Sequence, residues 1–481
     1  MHCGSSAGRT AGSGPVTGRR ADAALARHEQ VDVLVVGARC AGAILGLLLA
    51  RQGLDVLVVD KSRFPSDRLS THMFELSGAS VLQRCGILDA VLATGAPAHQ
   101  AYCMTIDGAE LSSDLVRAED DPLGGYSVRR HQLDEKLVAG AREAGARIIE
   151  ACHFEDVILR NGRVVGARLT QQSTPTVTEV SARLVVGADG VRSTVARAVG
   201  AREYYRTENQ RGMVWAYYQD YRPEHPARLH FHRNRDRMVF AWPSDSGLLT
   251  VIAAPPVAEV SALRRNEAAF AEYISASPEI TSMIQGADRL GAPRSATRYP
   301  GYFRAASGKG WVLLGDAGHF KDPILGQGIS DAFRQAEELA QRIAMSGLSP
   351  RPLDTALRAW WRWRDADAMQ MYWAAYLQGR AGTLPLFEQR VVGLLARDPA
   401  LRARVTGLVL AHRAAPSSLL SWPLLAGAVG AAASPAGLLS AAASVRSLLR
   451  PVATCLIAQA RVGRAGSGRG AVRTQRNGTR S

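Results

Sequence analysis

The chain has 481 residues, 47% of them hydrophobic and 21% charged, with a formal net charge of +15. That length exceeds what one core usually holds, so two or three domains are expected, and the composition is that of a soluble globular protein rather than a fibrous one. The excess charge does not argue for nucleic acid: residues 1–30 and 461–481 are Gly-, Ser- and Arg-rich, supply eight of the fifteen charges and lack an apolar pattern. Both read as disordered tails, and no specific nucleic-acid role is expected.

Six cysteines (Cys3, Cys40, Cys85, Cys103, Cys152, Cys455) are scattered. None forms a C-x-x-C pair and no His cluster has zinc spacing, so no metal site is expected and a reduced, cytoplasmic location fits. Arg19-Arg20 has no apolar stretch behind it, which argues against a secretory signal.

The ordered chain is expected to begin at residue 31. Val31 to Val36 is a short strand of Val and Leu around one Asp, followed by Gly37-Ala38-Arg39-Cys40-Ala41-Gly42 and by Ala43 to Ala50, apolar enough for a buried helix. A second apolar run, Val56 to Val59, closes on Asp60 and Lys61. Small residues let backbone N–H groups approach a pyrophosphate on a helix N-terminus, and an acid after the second strand accepts hydrogen bonds from an adenosine ribose. The position of the middle glycine in G-x-G-x-x-G is taken here by Arg39.

Val81 to Ala93 predicts a short helix. Tyr126 to Gly145 predicts a strand entering a helix, with Leu133, Leu137, Ala141 and Ala144 on one face. Arg147 to Leu159 and Arg163 to Leu169 predict two strands joined by the hairpin dipeptide Asn161-Gly162. Val180 to Val186 is a further buried strand, ending at Gly187-Ala188-Asp189-Gly190.

Residues 203–297 change character. Arg211 to Gln219, Ala227 to His232, Arg237 to Trp242 and Leu248 to Ala253 predict an antiparallel sheet. Aromatics concentrate there, and Trp215, Phe240 and Trp242 are candidate walls of a substrate pocket. His230 and His232 share one strand face and are assigned no chemistry. Ala262 to Ile284 predicts one helix.

Gly310 to Leu314 returns to a dinucleotide-domain strand. Ile329 to Met345 predicts a helix with Phe333, Ala336, Ala340 and Ile343 on one stripe, and Leu353 to Gln378 a second. The chain to residue 460 is Ala- and Leu-rich and reads as helical. Ala414 to Val445 carries no charge until Arg446, but Pro416, Pro423 and Pro435 interrupt it, so it reads as packed or interfacial helix, leaving room for weak peripheral membrane contact.

Two further strand-turn segments match the first: Leu184 to Ser193, and Trp311 to His319 continuing to Pro323-Ile324-Leu325-Gly326-Gln327-Gly328. With these three motifs in this order, the chain resembles the FAD-dependent monooxygenases of the para-hydroxybenzoate hydroxylase fold, a group that also includes geranylgeranyl reductases and flavin halogenases. The resemblance covers roughly residues 31–380. It implies an α/β protein in which a Rossmann-like FAD-binding domain (31–202 and 298–350) is interleaved with an antiparallel-sheet substrate domain (203–297) and followed by a C-terminal helical region (351–460). It implies that Gly37, Arg39, Cys40, Ala41, Gly42, Asp60 and Lys61 hold the ADP half of FAD. Arg130 corresponds to the arginine that touches the cofactor, and Asp189 with Gly190 to the D-G turn associated with FAD and NAD(P)H. Asp316 corresponds to the acid on the ribityl chain, and Pro323, Gly326, Gln327 and Gly328 to the loop against the isoalloxazine ring.

His72, after the Phe64 to Thr71 segment, and His319 are candidate catalytic residues, each with a packing role as the alternative. The expected reaction is NAD(P)H-driven hydroxylation or epoxidation of an aromatic or polyketide-like small molecule by molecular oxygen, through a flavin C4a-hydroperoxide. NADH or NADPH would bind transiently, since one Rossmann fingerprint is present. The alternatives are reduction of an isoprenoid double bond and a non-catalytic flavin-binding redox protein. A halogenase is disfavoured, because W-x-W-x-I-P is absent.

Overall fold

The computed structural model describes residue 25 and residues 28–67, 72–405 and 435–466. A parallel sheet forms its centre. His28–Val36 lies between Val56–Val59 and Thr174–Gly187, with Arg147–Ile149 beyond the former and Trp311–Leu313 beyond the latter, all parallel. The sheet is buried on both sides, which is why its strands read as continuous Val/Leu runs. Val33 and Val35 face the core that holds Ile44, Leu45 and Phe333, while Leu34 and Val36 face the one that holds Phe154, Leu169 and Val195. The helices Cys40–Arg51, Arg130–Glu143 and Gly328–Ser346 cover the first side. On the predicted stripes, Leu133, Leu137, Ala141, Phe333, Ala336, Ala340 and Ile343 are all buried.

Register aligns the functional ends. Val36 pairs with Val59 and with Gly187, and Gly187 pairs with Leu313. The segments that follow these residues, starting at Gly37, Asp60, Ala188 and Leu314, therefore emerge side by side at the carboxyl edge of the sheet. In open α/β sheets that edge is where ligands bind.

A second sheet holds Met213–Gln219, Arg228–Asn234, Arg237–Pro243, Leu249–Ala253 and Asp288–Ala296. It is antiparallel except at one place: Arg228–Asn234 runs parallel to Ala101–Ile106, a strand contributed from far upstream. The chain thus crosses from the first sheet into the second and back before residue 203. One face carries Trp215, Tyr217, Phe240 and Trp242, and the other packs on short helices through Val214, Ala216, Val239 and Ala241.

Several expectations need correction. Residues 28–30 belong to the first strand, because His28 extends the ladder to Glu179. Val81 to Ala93 is split between two helices, Leu76–Arg84 and Leu88–Leu92, with Gly86 at φ 62 between them. Arg147 to Leu159 is two strands bent at Ala151 (φ 49); only the second, Cys152–Arg160, forms the hairpin through Asn161-Gly162. Ala262 to Ile284 falls in three helices, Val260–Arg265, Glu267–Ile274 and Pro278–Met283. The side chains of Asn266 and Ser277 cap the second and third, so each stops its predecessor by starting a new helix.

The expected tails, apart from residues 25, 28–30 and 461–466, lie outside the described residues, as do residues 414–434 of the uncharged stretch. Residues 435–466 form one helix docked on Pro350–Gln378, where Trp373 Nε1 donates to Thr454 Oγ1 at 2.8 Å. Among the described residues, no helix is long and apolar enough to cross a membrane.

Candidate active site

The first turn is held by glycines for steric reasons. A Cβ on Gly42 would lie 1.8 Å from the Gly37 carbonyl oxygen, and one on Gly37, whose φ is +107, would lie 2.4 Å from the Ala188 carbonyl oxygen. Helix 40–51 then begins with no side-chain cap and no acid in its first turn. Its first N–H groups and its dipole are left to an anion. Asp60 closes the crevice on one side: Oδ2 accepts from Ala38 N at 2.9 Å and Oδ1 from Ser62 N at 2.8 Å. The carboxylate is thereby oriented and keeps lone pairs for further donors. Lys61, next to it, is exposed.

Arg39 does not obstruct this turn. Its guanidinium swings out to Asp134 (2.6 Å) and Ser66 (2.6 Å), over the Phe64 ring. Arg130, on the same helix as Asp134, donates from Nη2 to both oxygens of that carboxylate, at 2.8 and 3.0 Å, and from Nε to Oδ1 at 3.0 Å. The Cys40 thiol also points at Asp134, 3.6 Å away, and burial pushes it up to about 12, so it stays protonated. Asp134 is fully buried and organises three of the expected cofactor residues. Sequence reading missed it, although the i, i+4 spacing from Arg130 was a usable signal.

Arg130 also lies within electrostatic range of Asp316. Burial, opposed by Arg130 and Lys321 and aided by Asp331, raises Asp316 to about 6. Gly315 (φ +59) sets Asp316 beside the first motif, since a Cβ there would lie 3.1 Å from the Ala41 Cβ. Segments near residues 40, 130 and 316 therefore meet.

The third loop turns at Gly326 (φ +66) and enters helix 328–346 through Gln327, again with no side-chain cap. Around Gly328 the position of a Cβ is open, and Gln327 is buried. A Cβ on Gly326 would meet the Met73 methyl at 2.0 Å. Met73, Ile324, Trp215, Phe240 and Trp242 belong to one apolar cluster, so the aromatic face of the second sheet abuts the 323–326 turn. Within it the Trp242 indole N–H is buried with no acceptor among the described residues.

The remaining candidates have protein partners. Asp189 caps the helix Thr194–Ala198, accepting from Ser193 Oγ (2.6 Å), Thr194 N (2.6 Å) and Thr194 Oγ1 (2.8 Å); Gly190 beside it turns at φ 79. His319 is packed on Phe303 and held by Gln335 and Asp331. Burial lowers its basicity, which suits a packed residue rather than a base. His72 Nε2 lies 2.5 Å from Tyr217 Oη, which accepts from Trp215 Nε1 at 3.3 Å. Burial drives His72 down to about 3, so it is neutral and accepts from the tyrosine. A carboxyl that sequence reading missed, Glu75, is buried at the start of the helix Leu76–Arg84; its N–H donates to Ser330 Oγ, and Tyr102 donates to its side chain at 2.6 Å. Burial raises it to about 8. A cleft of about 300 Å³ lined by Ser80, Arg84, Arg334 and Glu337 contains none of the residues expected from the motifs.

The fold and site define an α/β flavoprotein built on two large sheets: a dinucleotide crevice with two uncapped helix N-termini, faced by an aromatic sheet. A family model described as an FAD binding domain matches residues 30–355, and the chain belongs to that family, as an FAD-dependent oxidoreductase of the para-hydroxybenzoate hydroxylase fold. It is 22% identical to the 1H-pyrrole-2-carbonyl-[peptidyl-carrier protein] brominase of Pseudoalteromonas luteoviolacea, over 73% of this chain and 87% of that one. It is 26% identical to the menaquinone reductase of Mycolicibacterium smegmatis, over 66% of this chain and 78% of that one. Among solved structures, PqsL, a probable FAD-dependent monooxygenase from Pseudomonas aeruginosa, superposes with a TM-score of 0.60 at 19% identity, covering 78% of this chain and 99% of that chain.

Proposed function

We propose that this protein is an NAD(P)H-using monooxygenase acting on an aromatic or polyketide-like small molecule. The observation that carries the reading is the contact of the Trp215, Phe240 and Trp242 face with Met73 and the Ile324 turn. FAD, when bound, accepts a hydride from the nicotinamide and activates oxygen.

The residues present fit that cofactor. Gly37, Ala38 and the N-terminus at Cys40 would hold the pyrophosphate, Asp60 the ribose, and Asp316 with Arg130 the middle of the molecule. The uncapped N-terminus at Gly328, carrying about half a positive charge, would favour negative charge on a group held beside it. The aromatic face excludes water and holds a flat substrate. The Trp242 N–H, with no acceptor among the described residues, is offered to a substrate oxygen. His72 stays neutral and orients Tyr217 rather than moving a proton.

The test is product analysis with the FAD-loaded protein, NAD(P)H, oxygen and a panel of phenols and polyketides. The expected result is substrate-stimulated NAD(P)H oxidation with oxygen uptake and a product heavier by one oxygen atom. With chloride and bromide salts also present, a product bearing bromine or chlorine would overturn the reading in favour of a halogenase.

Double-bond reduction is a second reading, favoured by the exposed Leu439, Val452, Leu456 and Ile457 on the last helix, which suit a lipidic substrate or weak contact with a membrane surface. Saturation of an isoprenoid without oxygen uptake would establish it.

A further inference from the structure

The strand Ala101–Ile106 reaches the second sheet from more than a hundred residues upstream and pairs in parallel with Arg228–Asn234, Cys103 opposite His230 and Thr105 opposite His232. Partners in such a pair, and residues two apart on one strand, share a face. Cys103, His230 and His232 therefore converge, and one ligand atom from each lies within 4.8 Å of the others. The two imidazoles are stacked at 15°, with His230 Nδ1 and His232 Nε2 3.3 Å apart. Two nitrogens on one tetrahedral Zn²⁺, each bound at about 2.0–2.1 Å, are separated by roughly 3.3 Å.

The outer atoms are arranged to match. His230 Nε2 lies 2.8 Å from Glu224 Oε2, and His232 Nδ1 lies 3.6 Å from Glu279 Oε2. At His230 the carboxylate on the far nitrogen places the proton there and leaves the inner nitrogen's lone pair free for a metal, while Glu279 stands at charge-pairing distance from His232. The cluster lies on the sheet face shared with Val239 and Ala241, away from Trp215, Phe240 and Trp242. A cleft of about 500 Å³ lined by Arg222, Pro223, Glu224, Pro278 and Glu279 reaches the two outer carboxylates of the cluster.

We propose that Cys103, His230 and His232 form a Zn²⁺ site, with Glu224 and Glu279 as outer partners and a fourth position open to the cleft, that clips the incoming strand to the second sheet. Its place on the opposite face from the aromatic cluster separates it from the flavin chemistry, and its ligands, drawn from two strands, tie those strands together. Thiolate with imidazole is a borderline-soft donor set that suits this ion.

The test uses untagged, full-length, FAD-loaded protein, stripped with a chelator and titrated with Zn²⁺ in competition with a chromogenic chelator. One equivalent should bind, and bound Zn²⁺ should raise the melting temperature. Cys103→Ser and His232→Gln should each lower the affinity by more than tenfold, and Glu224→Gln by about 10–100-fold, with the flavin spectrum unchanged. Co²⁺ in place of Zn²⁺ should add a thiolate charge-transfer band to the difference spectrum, absent in Cys103→Ser. Equal Zn²⁺ affinity in wild type and Cys103→Ser, or bound Co²⁺ without that band, would overturn the site, irrespective of which reaction the flavin performs.

Discussion

Arg39 Nη1 and Asp134 Oδ2 stand 2.6 Å apart, and this pair explains how a dinucleotide turn tolerates arginine where a glycine is usual. The long side chain is held by a buried carboxylate that it shares with Arg130. Truncating Asp134 would strand two guanidinium groups, and breaking a buried pair this way costs about 3–5 kcal/mol. Asp134→Ala is therefore expected to lower the unfolding midpoint strongly and to weaken FAD retention, with Asp134→Asn milder. Melting curves with and without added FAD check this; an unchanged midpoint would remove Asp134 from the role given to it.

Asp316 is attached to the fold through its backbone, whose carbonyl accepts from Tyr302 Oη at 2.6 Å. Removing the side chain should thus leave the fold largely in place while deleting one acceptor for the cofactor. A charge-assisted hydrogen bond contributes about 1.5–3 kcal/mol. Asp316→Ala should weaken FAD at least about tenfold, read as lost flavin absorbance after gel filtration. Full retention of that absorbance counts against the assignment.

Gly326 has two reasons to lack a Cβ: its φ of +66 and the Met73 methyl 2.0 Å from where that atom would sit. Gly326→Ala should cost roughly 1–3 kcal/mol from the conformation alone, plus the clash. Met73→Ala in the same chain should recover the clash part only. A double-mutant cycle in denaturant measures the coupling, and strict additivity would show that the two groups do not meet.

Glu75 gives a pH dependence with a definite sign. Its acid is raised from 4.5 to about 8 in the folded chain by burial. The folded state keeps a proton that the unfolded chain releases, so the contribution is full below about pH 4.5, fades as pH rises, and is gone above about pH 8. Wild-type stability should fall between these limits, and Glu75→Gln should flatten that slope while keeping an acceptor for Tyr102. An equal slope in both proteins would mean that Glu75 ionises normally.

The strand-turn-helix units, the glycines at their corners, the hairpin at Asn161-Gly162 and the helical stripes were legible in the amino-acid order. Each depends on backbone sterics or periodicity within about twenty residues. Helix ends were less legible between 260 and 284, because Asn266 and Ser277 cap new helices inside one apolar period. What only the tertiary structure decided are the meetings between distant segments: Asp134 under Arg39, Tyr217 on His72, Tyr102 on Glu75, and Cys103 opposite His230. These depend on strand order and register, and above all on a strand near residue 101 joining the second sheet. No local pattern encodes that pairing, because its free energy comes from burying faces that the chain brings together only when folded.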